Sequence, residues 1–224
     1  MRRLDWRRAQ SPARAPLAGV TVRLEPLDPS QHGDELFAET AGADSTWDYL
    51  AYGPFAGRDE FVSWLEKRAP LDDPLTFAII DLASGTARGL ASFMRIDPAN
   101  GVIEIGHIWL SPGLQKTRQA TEAIYIMSRY AFELGNRRLE WKCDALNAAS
   151  RRAAERFGFV FEGVFRQHMV IKDRNRDTAW YSITDAEWPP RRAAFEAWLS
   201  PENFDAAGRQ KRALAELRVV SAGT

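Results

Sequence analysis

Two stretches of this chain carry apolar side chains at helical spacing, and each is enclosed by stretches whose apolar residues recur at every second position. The first runs through Ala120, Ala123, Ile124, Met127, Ala131 and Leu134, with Gly135-Asn136 as its stop. The second is NAASRRAAERFGF, with Asn147 at the cap position and Gly158 as the stop. A helix between two strands is a crossover. Ahead of both lie three strand patterns, LTFAIID (75–81), RGLASFMRID (88–97) and VIEIGHIWL (102–110), separated by the turns LASGTA and PANG. Hairpins followed by crossovers predict an α/β (α+β) chain, with a mixed central sheet of about six to seven strands and helices on both faces.

The remaining elements fit that plan. VTVRLEPL (20–27) alternates as a strand, and a helix is expected over residues 31–39. GRDEFVSWLEKR opens on acids and ends on bases, as the helix dipole favours, and sets Phe61, Trp64 and Leu65 on one face. RRLEWKCDA, FVFEGVFRQHMVIK and TAWYSITDAEW read as strands, the last two joined by the turn DRNRD. The order is β-α-α-β-β-β-α-β-α-β-β followed by a polar helical tail after Pro189-Pro190. This divides the chain into a flexible basic arm (1–18), one domain (19–188) and a helical C-terminal extension (189–224).

A length of 224 residues suits one such domain with extensions. The formal net charge is zero, so no global field draws the chain to nucleic acid or a membrane surface. The single cysteine, Cys143, excludes an internal disulfide, and no Cys/His cluster has metal-ligand spacing. No apolar run approaches the roughly 20 residues that span a bilayer. The basic start lacks the apolar region of a secretory signal. The expectation is a soluble cytoplasmic protein without a metal.

One segment invites a ligand. LSPGLQKTRQATEA (110–123) passes from strand to helix through a polar, basic run. A helix start presents unpaired N–H groups and a partial positive charge, and phosphates bind there. The segment is neither a Walker loop nor a dinucleotide fingerprint. By itself it reads equally as a phosphate site or as a polar loop capping a helix.

IWLSPGLQKTRQATEA, followed by NAASRRAAERFGFVFEGVFR, resembles the GCN5-related N-acetyltransferase (GNAT) superfamily. The nearest branch is the RimJ/RimL type that acetylates ribosomal-protein N-termini. The resemblance covers roughly residues 20–186 and implies the GNAT fold with a splayed sheet. It also implies acetyl-CoA as co-substrate, direct transfer to a primary amine (a protein N-terminus or a small molecule), and a homodimer. The family's loop pattern Q/R-x-x-G/A-x-G/A, which holds the pyrophosphate through backbone amides, falls on Gln115, Lys116, Thr117, Arg118, Gln119 and Ala120, where Arg118 departs from the usual small residue and would either crowd the loop or contact a phosphate directly. The resemblance makes Thr121 a further phosphate contact and Asn147 a contact to the pantetheine, while Ile108, Trp109 and Leu110 would pair with the pantetheine through their backbone.

Acetyl transfer to an amine needs a proton acceptor, polarisation of the thioester and an acid for the leaving thiolate. Glu104 is the first candidate base, and the alternative is a polar position of an alternating strand. His107 is the second; a regular strand turns it away from Glu104, which a bulge would change. His168 is a third, with a structural role as its alternative. The tyrosine that serves many relatives as acid is Ala154 here. Ser150 matches the serine of RimL-like relatives instead, and its alternative is a capping role. Cys143, mid-strand among large residues, is read as buried and inert. Trp47, Tyr49, Tyr52 and Phe55 either line the acceptor site or cover the core. The departures at Ala154 and Arg118 keep a second function in play, a degenerate CoA-binding sensor or scaffold. A third is an acyltransferase using another donor such as succinyl-CoA.

Overall fold

A computed structural model describes residues 6–220. An eight-stranded sheet runs through it in the order β1-β2-β3-β4-β5-β6-β8-β7. The strands are β1 (Leu17–Ala18), β2 (Val22–Pro26), β3 (Leu75–Asp81), β4 (Thr86–Asp97), β5 (Val102–Leu110), β6 (Arg138–Asp144), β7 (Val160–Ile171) and β8 (Arg174–Thr184). Every neighbouring pair is antiparallel except β5 with β6. The helices are α1 (Pro29–Ala38), α2 (Arg58–Arg68), α3 (Arg118–Glu133), α4 (Ala148–Phe157), α5 (Trp188–Leu199) and α6 (Leu214–Val220).

The expected six to seven strands become eight because Leu17–Ala18 adds a short edge to β2. Those two residues belong to the segment read as a flexible arm, and residues 6–18 lie against the domain. Ala9 is buried and its N–H reaches Pro98 O, while the Arg14 guanidinium binds the carbonyls of Ala69, Pro70 and Leu71. Residues 1–5 lie outside the described residues. The last hairpin also differs: its turn is only Lys172-Asp173, and Arg174–Asp177 of the expected DRNRD loop join β8. Strand β8 ends at Thr184, because Trp188 starts α5 and buries its ring against Tyr125 and Phe132.

Two apolar cores flank the sheet. One lies under α3, α4 and α5 and contains Ile103, Ile105, Ile124, Met127, Leu139, Trp141, Tyr181 and Phe195. It includes Trp198, Leu214 and Leu217 from the C-terminal extension, which is thus part of the core. The other lies under α1 and α2 around Leu36, Phe61, Leu65, Ile80 and Trp109. At its centre Trp47 stacks on Trp109 with ring centroids 4.9 Å apart. Beside the first core the buried Glu122 of α3 accepts the N–H groups of Val20 and Thr21, each at 2.7 Å, which anchors the turn before β2.

Candidate active site

Strands β5 and β6 pair for only three residues, Val102–Glu104 against Arg138–Glu140. Each then keeps its other neighbour: β5 follows β4 as far as Leu110 opposite Gly89, and β6 follows β8 as far as Asp144 opposite Thr178. The sheet therefore opens into a V beyond Glu104 and Glu140. Each arm turns a row of main-chain groups without a strand partner into the gap, an edge that an extended ligand can extend. Ile108, Trp109 and Leu110 lie on the β5 arm.

The β5 arm is also bulged. Between the pairs Leu90–Trp109 and Ser92–Gly106 it carries one residue more than β4, and His107 takes a φ of +49°. The extra residue reverses the pleat. Ile103 and Ile105 face the α3 core and so do Ile108 and Leu110, whereas Trp109 enters the α1–α2 core. His107 is turned to that second side, where the Tyr52 hydroxyl lies 2.9 Å from its Nδ1. Burial pushes the His107 pKa down to about 4, with help from Arg68, Arg95 and Arg176, so the ring is neutral near pH 7.

Glu104 stands at the fork. It is buried, 2.9 Å from Lys142 Nζ and 3.4 Å from Arg95 Nη1. Lys142 also contacts Glu140 at 2.5 Å, and its ammonium sits 3.9 Å above the Trp180 ring. Burial holds the Glu104 carboxyl above its ordinary value, against the opposing pull of Lys142 and Arg95. Gly106 leaves room beside it: a Cβ there would lie 3.1 Å from Glu104 Oε1 and 2.4 Å from Met94 Sδ.

Downstream of β5, Gln115 Nε2 ties back to Leu110 O at 3.0 Å, and Lys116 takes a φ of +62°. Thr117 caps α3, its hydroxyl accepting the Ala120 N–H at 3.1 Å. The N–H groups of Arg118 and Gln119, the first two of the helix, have no acceptor within it. Arg118 does not crowd this opening. Its guanidinium turns to the C-terminal segment, hydrogen-bonded to Leu199 O and 4.7 Å above the Phe204 ring. Thr121 is buried and its hydroxyl is engaged, donating to Thr117 O and accepting from Arg156, both at 3.1 Å. Those two side chains are thus placed differently from the phosphate contacts expected of them.

On the opposite arm Asn147 caps α4, its Oδ1 accepting the Ser150 N–H at 2.9 Å. The Ser150 hydroxyl accepts from Trp141 Nε1 at 3.0 Å. Trp141 and Cys143 face the α3–α4 core, so Ser150 lies on that side of the sheet. Glu104 and His107 lie on the other. Cys143 is buried and burial raises its thiol pKa, and Ala154 is fully buried. His168, on the exposed face of β7, bonds the Thr178 hydroxyl at 2.9 Å. Of the aromatic loop, Trp47 is core and Phe55 packs against it, Tyr52 holds His107, and Tyr49 reaches across to Leu146 O at 3.2 Å. A second tie, Lys172 Nζ to Trp47 O at 2.9 Å, brings the β7–β8 turn onto the same loop.

Residues 21–160 match the acetyltransferase (GNAT) domain family. The chain belongs to that family. A GCN5-related N-acetyltransferase from Brucella melitensis has a solved structure that is 53% identical, covers 96% of this chain and 99% of its own, and superposes with a TM-score of 0.94. The Bacillus subtilis protein YdaF, named for ribosomal N-acetyl transfer, is 27% identical over 175 residues, 75% of this chain and 93% of its own. The ribosomal-protein-serine acetyltransferase of Escherichia coli is 33% identical over 101 residues, 44% of this chain and 56% of its own. The protein is accordingly an acetyl-CoA-dependent acetyltransferase acting on an amine.

The residues present fit the co-substrate. The V would supply main-chain partners for the pantetheine, and the capped but open start of α3 would supply N–H donors for the pyrophosphate. Among the described residues no group of three or more His, Cys, Asp or Glu side chains could hold a metal, and no helix is long and apolar enough to cross a membrane. The sequence reading missed Lys142, which neutralises Glu104, and the arginines around His107. The one signal within reach was Gly106, since a lone glycine inside a strand pattern marks a bulge or a close approach.

Proposed function

We propose that this acetyltransferase acts on the α-amine of a protein or peptide. The carrying observation is the fork itself. Glu104 sits where β5 and β6 part, on the side of the sheet that the Trp47–Phe55 loop and the β7–β8 turn enclose. Two relatives named for ribosomal-protein acetylation support the choice of acceptor. An α-amine, with a pKa of about 8, is also the easier amine to deprotonate; a lysine stands near 10.

Acetyl-CoA supplies the acetyl thioester. The chain does the rest. The N–H groups at the start of α3 hold the pyrophosphate and the β5 edge at Ile108–Leu110 aligns the pantetheine. Glu104 takes the proton of the acceptor amine, kept ionised by Lys142 and Arg95 while burial keeps it basic. His107, neutral and fixed by Tyr52, shapes the acceptor wall. The Ser150 hydroxyl, oriented by Trp141 and by the α4 cap, donates to the departing sulfur from the other face.

The test is a thiol-release assay with a panel of N-terminal peptides, lysine-containing peptides with blocked N-termini and small amines. Free-N-terminus peptides are expected to give the highest kcat/KM. Faster release with small amines or with blocked peptides would reject the α-amine reading.

A further inference from the structure

The acceptor side of the fork holds more positive charge than its carboxylates use. Glu104 and Glu140 share Lys142 and are further paired with Arg95 and Arg138. Arg68 and Arg176 have no carboxylate partner among the described residues. Arg68 lies 4.8 Å over Tyr52, whose hydroxyl holds His107, and 5.0 Å over Trp64. Arg176 lies on β8 opposite Met169, on the same face of the strand as Thr178 and Trp180. Both guanidinium charges bear on the His107 ring.

Three donors in this region are buried with no hydrogen-bond partner: Arg68 Nη2, Arg176 Nε and Trp180 Nε1. Buried donors are almost always satisfied, so unpaired ones next to a reaction site call for an explanation. An incoming anion supplies acceptor atoms for them. A cation in the same place would meet Arg68, Arg95, Arg176 and Lys142.

The distance along β5 fixes where that anion belongs. His107 is three residues from Glu104, about 10 Å at strand rise. An extended peptide covers that span in about three residues. We propose that the acceptor is a peptide N-terminus with a carboxylate side chain at its second or third position, bound by Arg68 and Arg176 beside His107. This rests on the α-amine reading above and narrows it. The amine lies toward Glu104 and the acidic side chain toward the two arginines.

The experiment compares two synthetic peptides, Ser-Ala-Glu-Gly-Tyr-amide and Ser-Ala-Gln-Gly-Tyr-amide, with a matching pair substituted at the second position. Thiol release is measured with acetyl-CoA, and each peptide is titrated calorimetrically into the full chain with CoA present. A charge-assisted contact predicts a preference of about tenfold or more for at least one acidic peptide, in kcat/KM and in affinity. Arg68→Gln and Arg176→Gln should each shrink that preference, and Arg68→Lys should retain part of it. Equal values for acid and amide at both positions in the unmodified protein would overturn the proposal, and that comparison needs no variant to fold. So would a preference untouched in both glutamine variants. If no peptide releases thiol, the α-amine reading fails, and the calorimetric pairs still decide whether a carboxylate is recognised.

Discussion

Lys142→Met should be among the most damaging single changes outside the apolar cores. The lysine side chain is 3% exposed, and it lies between two carboxylates that are themselves 5% and 9% exposed. Methionine replaces most of the stem volume, so the cost is electrostatic and no large cavity forms. Breaking a buried pair from one side costs about 3–5 kcal/mol. Glu104 keeps Arg95 at 3.4 Å and Glu140 keeps Arg138 at 2.7 Å, which places the loss at the low end of that range. Losing the ammonium over Trp180 adds about 1 kcal/mol. The sum is about 4 kcal/mol near neutral pH. Its pH dependence has a definite sign. The Glu104 carboxyl is already raised by burial, and removing Lys142 raises it further. A raised carboxyl means that the folded protein binds a proton more readily than the unfolded chain does. The destabilisation is therefore complete above the folded-state pKa and shrinks as pH falls through it. Urea unfolding at about pH 7.5 and about pH 5 measures both quantities. In Lys142→Met/Glu104→Gln, which removes one of the stranded charges, a substantial part of the loss should return. A loss under about 1 kcal/mol at the higher pH, or an equal loss at both, would refute the reasoning.

Ser150→Ala should lower kcat by about a hundredfold and leave acetyl-CoA affinity nearly unchanged; equal turnover removes Ser150 from the mechanism. Glu104→Gln should abolish the acidic limb of the pH–rate profile, a limb lying above the ordinary carboxylate range because burial raises this group. An unchanged profile rejects Glu104 as base. Arg118→Ala should cost about 1–2 kcal/mol of stability through its contacts to Leu199 and Phe204, whereas Lys116→Ala should weaken acetyl-CoA binding more than it destabilises. Calorimetry and unfolding on the two variants check the order, and the reverse order contradicts the side-chain placement. Strand β7 is the outer edge of the sheet and exposes Phe161, Val164, Phe165 and Val170. The family resemblance implied a homodimer without placing its interface; self-association through this edge gives a sedimentation mass of twice 25.3 kDa at micromolar concentration, and a mass of 25.3 kDa refutes it.

The elements that could be read from the chain are those whose signal is local. The β5 span Val102–Leu110, the cap of α4 at Asn147 and its stop at Gly158 each follow from periodicity or a capping residue, and the structure has all three. The two-residue β1 could not be read, because Leu17–Ala18 is too short to carry a period and is held by its pairing with β2. Arg118 misled for a related reason. Its loop position suggests a phosphate, but its partners lie some eighty residues away in Leu199 and Phe204. The Glu104–Lys142–Glu140 group depends on which residues of β5 and β6 come into register. Register in a parallel pair joined by a sixteen-residue helix is a tertiary outcome.

The fork also explains why the candidate acid and base stand so far apart in kind and place. Glu104 and Ser150 lie on opposite faces of one sheet, and neither has the other as a hydrogen-bond partner. In a closed sheet such an arrangement would be useless, since strand pairing would separate the two sides. Here β5 and β6 stop pairing at Glu104–Glu140, so a reacting group lodged between the arms meets both faces at once. On the proposed assignment the amine gives up its proton on one face, and on the other the Ser150 hydroxyl donates a hydrogen bond to the departing thiolate, which takes its proton from water. The two transfers need not compete for the same side chain. The bulge at His107 serves the same division, because in an unbulged strand of the same length His107 would turn away from Glu104 and Trp109 would leave the α1–α2 core. Deleting His107 restores one-for-one pairing with β4 and keeps Trp109 on the α1–α2 side, so it should cost the acceptor wall and spare the aromatic core.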